Sequence, residues 1–122
     1  MAERIESPAK IQHPLAISRE IGNRHAEGAF LGNLGSAYND LGEPRKAIEF
    51  LEQALVISRE VGNRHSEGLL LFNYALVLDK LGKRVQAVKC AEEALNILEP
   101  IRHPLSAAVR ANLAKWKGRT KK

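Results

Sequence analysis

The chain has a single cysteine, Cys90, in 122 residues, so no internal disulfide can form, and a reducing compartment, by default the cytoplasm, is the expected setting. Only 5% of the residues are aromatic, which implies a core of aliphatic and small side chains. No stretch approaches the roughly 18 apolar residues of a membrane span, and the opening MAERIESPAK is too charged for a secretory signal. There is no nucleophile motif, no glycine-rich phosphate loop and no metal-ligand spacing, so a non-catalytic protein without cofactor or metal is expected. Acids are missing after Ala114, where Lys115, Lys117, Arg119, Lys121 and Lys122 supply the whole net charge of +5. The basic character therefore belongs to the C-terminus, either as a solvated end or as a contact for an acidic partner or nucleic acid.

What the sequence does have is an internal repeat. Ile17 to Gly28 read ISREIGNRHAEG and Ile57 to Gly68 read ISREVGNRHSEG, agreeing at 10 of 12 positions with a period of 40. A period of that size marks an architecture whose units bury their apolar faces only by stacking on one another.

Helices follow in that register. Leu15 to Ile21 match Leu55 to Val61 and read as the end of a helix, stopped at Gly22 and Asn23 as its copy is at Gly62 and Asn63, since glycine takes the left-handed conformation that closes a helix. A helix from about Arg24 to Leu41 carries Leu31, Leu34, Tyr38 and Leu41 on one face. Gly42 ends it, and Pro44 opens the next, which buries Ala47, Ile48, Leu51, Ala54 and Leu55. In the second unit the stripes are Leu71, Tyr74, Leu78 and Leu81, then Ala87, Val88, Ala91, Ala94, Leu95 and Leu98. A last helix from Pro104, with Leu105, Val109, Leu113 and Trp116 down one side, reads as the cap of a stacked array.

Leu31, Leu34, Gly35 and Tyr38, followed by Ala47, Leu51 and Ala54, form a pattern that resembles the tetratricopeptide repeat, and Leu71, Tyr74, Ala75 and Leu78 with Ala87, Ala91 and Ala94 repeat it. The 40-residue period and the recurring G-N-R…E-G link are most similar to the longer-repeat branch of Pins and kinesin light chain adaptors. The resemblance implies an all-α, right-handed solenoid of antiparallel helix pairs: about two full repeats, a half repeat at the N-terminus and a C-terminal capping helix. In domain terms this gives an arm over 1–14, a repeat domain over 15–117 with units at about 24–61 and 64–99 and a cap at about 104–117, and a basic tail over 118–122.

Within this frame the concave groove is implied on the helix face opposite the core stripe. In the first unit that face holds Ala29, Gly32, Ser36 and Asn39; in the second it holds Leu69, Phe72, Leu76 and Asp79. Leu69, Phe72 and Leu76 make a helix apolar on both sides, suited to a partner helix or extended peptide, or else covered by the arm, the last helix or a second copy of the chain. Asn33 and Asn73 recur beside the face, with Asn112 as their counterpart in the last helix. An amide there can pair with a peptide backbone, as in the resembling family, or bond within its own scaffold.

His25 and His65 are also repeat-related, but equivalent residues of stacked units stand at least a helix-packing distance of ~8 to 10 Å apart, whereas zinc needs ligands at ~2 Å. They read as residues at helix starts, and His13 and His103, each before a proline, as turn residues. Cys90 takes the place of Phe50 in the second unit and reads as a partly packed thiol. The functional expectation is an adaptor binding a protein or peptide in its groove. Homodimerisation through the apolar groove and the incomplete first repeat is the alternative, and acidic-partner or nucleic-acid binding through the tail is a third.

Overall fold

The computed structural model of the protein describes residues 14–120, so the expected arm before Pro14, with His13, and the final two lysines lie outside the described residues. Among the described residues five helices follow one another: α1 (Pro14–Asp40), α2 (Pro44–Val61), α3 (Arg64–Lys80), α4 (Arg84–Leu98) and α5 (Leu105–Thr120). Each packs on the next, and α1 also touches α3. This is the stacked all-α solenoid that the resemblance implied.

The two helix pairs close in the same way. After α1, the Glu43 N–H donates to the Tyr38 carbonyl at 2.8 Å, and after α3 the Lys83 N–H donates to the Leu78 carbonyl at 2.9 Å. Pro44 then starts α2 where its missing N–H costs nothing. Within each pair the second helix presents small residues: Ala47, Ala54, Ala87, Ala91 and Ala94 have no exposed surface. Small side chains at those points let the helix axes approach, and larger ones nearby fill the space between. The core joins them to Leu51, Leu71, Leu78 and Leu98, and Trp116, Val109 and Leu113 of α5 cap it.

Because α3 is packed by α2 on one side and α4 on the other, it is buried on more than one face. Leu70, Leu71, Phe72, Ala75, Val77 and Leu78 are all in the core. By contrast no described helix precedes α1, and Leu41, expected in the core stripe, is 71% exposed. Its repeat partner Leu81 is half-buried and packs against the core.

The link between the units depends on Gly62, whose φ of +72° puts it in the left-handed region that a Cβ disfavours. Asn63 follows, and its Oδ1 accepts the Ser66 N–H at 3.1 Å to cap α3. The same residues at Gly22 and Asn23 do not stop a helix: α1 runs through them, and Gly22 has no positive φ. No described helix precedes α1 for the chain to turn back against, so the backbone keeps its helical hydrogen bonds. His25 accordingly lies inside a helix, exposed, and not at a helix start.

At the other end Arg102, with φ +55°, makes the left-handed turn after α4, and the His103 Nδ1 accepts the Leu105 N–H at 3.0 Å, which caps α5. His103 also meets His65, the ring centroids 4.9 Å apart. The last helix continues to Thr120, so Gly118 to Thr120, expected in the tail, are helical.

Candidate functional site

A cleft of about 350 Å³ opens between α1 and α3. Gly35, Ser36, Asn39 and Asp40 line one wall, Asn73, Leu76 and Val77 the other, and Leu51 of α2 reaches the floor. Its depth on the α1 side follows from Gly35, where a side chain would run into Leu51. The α3 wall is held in place from two directions. Gly68 lets α3 close on Leu98 of α4, while the buried Glu67 carboxylate accepts from Arg59 Nε and Arg64 Nη1, both at 3.0 Å, tying the end of α2 to the start of α3.

The polar groups at the mouth have defined partners. Lys80 Nζ donates to Asn39 Oδ1 at 2.9 Å, linking the ends of α1 and α3. With its oxygen so engaged, the Asn39 amide keeps an NH₂ donor for another acceptor, and Asn73 on the facing wall contributes both donor and acceptor. Asp79 is committed elsewhere. It accepts from Arg84 Nε at 2.7 Å, and the Arg84 guanidinium also lies 5.9 Å from the centre of the Trp116 ring, so one side chain joins α3, α4 and α5. The cleft therefore offers amides and a hydroxyl along its rim above the apolar Leu76 and Val77.

Of the residues expected in the groove, Ser36, Asn39, Asn73 and Leu76 come together in this cleft. Asn33 is exposed on α1 outside the lining, and Leu69 is half-buried on α3. Phe72 is a correction: at 6% exposure it belongs to the core, and a side chain buried that far is a packing element. Asn112 donates from Nδ2 to the Ala108 carbonyl at 3.0 Å, one turn back in its own helix, which uses its donor within the scaffold. Sequence reasoning missed Asp40 and Lys80. The signal for both was available, since they occupy the same repeat position one residue after Asn39 and Asp79.

Away from the cleft, Tyr74 donates its hydroxyl to Glu52 Oε2 at 2.8 Å. Partial burial, reinforced by that carboxylate, pushes the Tyr74 phenol up to about 12. Burial also raises the Cys90 thiol above its ordinary value, with Glu93 adding to it. Among the described residues no group of three or more His, Cys, Asp or Glu side chains could hold a metal ion, and no helix is long and apolar enough to cross a membrane.

A family model described as tetratricopeptide repeat matches residues 26–100. No curated protein matches the chain.

Proposed function

The chain belongs to the tetratricopeptide repeat family, and from that premise we propose that it is a non-catalytic adaptor, or the binding segment of a larger scaffold, whose α1–α3 cleft receives an extended peptide. Repeats of this family generally mediate protein–protein interactions. The observation that carries the reading is the facing pair Asn39 and Asn73 above Leu76 in a cleft of about 350 Å³. Two amides across a groove can hydrogen-bond a peptide main chain whatever its side chains, and the apolar wall below them supplies the driving force for one anchoring residue. The lysine at the end of α3 keeps the Asn39 amide turned so that its donor is free, which limits the entropy lost on binding.

The test is selection of peptides from a displayed random library on the intact chain, followed by calorimetry. Binding that survives in the unaltered chain and falls at least about tenfold, or 1.4 kcal/mol, in both Leu76→Asp and Asn73→Ala would support the reading. Each variant must first be shown to melt as the parent does. Selected peptides that bind these variants undiminished would place recognition elsewhere and overturn it.

A further inference from the structure

One dodecapeptide, present twice, takes two backbone forms in this molecule. At Gly62 the chain leaves the helix through φ +72°, Asn63 caps the next helix, and α2 turns back against α3. At Gly22 the nearly identical sequence is helical, and no neighbouring atom lies within 4 Å of where a Cβ would stand. The described ties nearest to Gly22 are exposed ion pairs of Arg24 with Glu27 and with Glu60 of α2, and glycine followed by asparagine is a poor helical pair. The difference between the two copies therefore lies in what surrounds them, since their local preferences are the same.

The surroundings of α1 are unbalanced. Its residues Ala26, Phe30 and Ala37 are exposed, Phe30 at 62%, whereas their repeat counterparts are Ser66, half-buried, Leu70, 9% exposed, and Val77, 1% exposed. Leu70 is covered because it packs between helices of the preceding unit: its Cδ2 and the Ala54 Cβ converge on Gly32. The segment that ends α2, Leu55 to Val61, buries Leu55, Ile57 and Ser58, and Ile57, Ser58 and Val61 lie beside Asn63 and Ser66 at the start of α3. By sequence, Leu15 to Ile21 are the same segment, carried at the far end of α1.

We propose that Gly22 and Asn23 form a hinge at which α1 opens, folding Pro14–Ile21 back over Ala26 and Phe30 of the same helix, as Ala54 to Val61 of α2 lie beside Leu70 and Ser66. The occupant of the exposed α1 face is thus this chain's own segment. The two states exchange a run of helical hydrogen bonds through Gly22 for a left-handed cap, an Asn23 N-cap and the burial of Phe30.

Pulsed electron paramagnetic resonance on the full chain measures the exchange, with spin labels at Ala16→Cys and Asp40→Cys in a Cys90→Ser background. A continuous helix separates these positions by about 36 Å at 1.5 Å per residue. The folded-back form brings them to about 20 Å, one interhelical spacing to the side and partly overlapping along the axis. The expected result is a population at the short distance that disappears in Gly22→Ala/Asn23→Ala and is reduced several-fold in Phe30→Ser, with melting of the remaining helices unchanged. A single distance near 36 Å in the unaltered chain would overturn the proposal. So would a short distance that vanishes when labelled chain is diluted with unlabelled chain, because the face would then be covered by a second copy.

Discussion

Gly35 and Leu51 stand so close that a Cβ at position 35 would lie 2.7 Å from Leu51 Cγ, with the Ala47 carbonyl 3.3 Å away on the other side. Leu51 has no exposed surface, so clearing the contact requires it to repack. The second unit solves the same crossing differently, with Ala75 and Ala91 at the equivalent positions, both fully buried. Volume moved from one helix to the other while the crossing was kept.

That exchange predicts coupling. Gly35→Ala is expected to cost about 1–3 kcal/mol through overpacking, despite alanine's better helix propensity. Leu51→Ala alone is expected to cost about 2–5 kcal/mol as a cavity. In the double variant the added methyl enters the space that Leu51 leaves, so urea unfolding should give a loss smaller than the sum by at least about 0.5 kcal/mol. Strict additivity would show that the two positions do not share one contact.

Phe72 and Leu76 lie one helical turn apart, yet their substitution should report on different properties. Phe72→Ala is expected to destabilise the fold by about 3–5 kcal/mol, as a buried aromatic does. Leu76→Ala, at the half-buried cleft wall, is expected to cost about 1 kcal/mol or less. Equal losses in chemical denaturation would contradict the assignment of one to the core and the other to the cleft.

Tyr74 should titrate late. Its phenol is pushed up to about 12, first by partial burial and then by the hydrogen bond to Glu52. A phenol raised in the folded state favours the fold only while protonated, so its contribution is intact below the unfolded value of about 10 and is lost between about 10 and 12. In Tyr38→Phe, where Tyr74 is the one remaining tyrosine, tyrosinate absorbance should show a midpoint near 12, and Glu52→Gln should lower it part of the way. A midpoint at the ordinary value would remove both causes.

Glu67 should matter more than its repeat counterpart. Its carboxylate is buried and accepts from two arginines, whereas Glu27 is exposed and pairs, among the described residues, with Arg24. Loss of charged hydrogen bonds to a buried acceptor makes Glu67→Ala cost about 1–2 kcal/mol in thermal or urea unfolding. Glu27→Ala should stay within about 0.5 kcal/mol.

Much of this molecule was determined by its sequence alone. The 40-residue period, the 3.6-residue spacing of Leu31, Leu34 and Tyr38, and the alanines at 47, 54, 87 and 94 are local or repeated signals, and they dictate helix pairs that pack closely. Gly62 and Pro44 mark helix ends through the backbone angles that each residue allows. Four residues of the cleft, Ser36, Asn39, Asn73 and Leu76, could be read the same way, because a helical face is set by spacing.

Which parts of a face stay open was decided only by tertiary structure. Phe72 shares its sequence face with Leu76, but one is core and the other is cleft wall, since burial depends on how neighbouring helices close over each position. Gly22 and Gly62 carry almost the same local sequence and differ in conformation for the same reason. A left-handed turn is stable where two helices gain contacts by reversing the chain, as α2 and α3 do at Gly62. At Gly22 no described helix precedes α1, and the backbone remains helical.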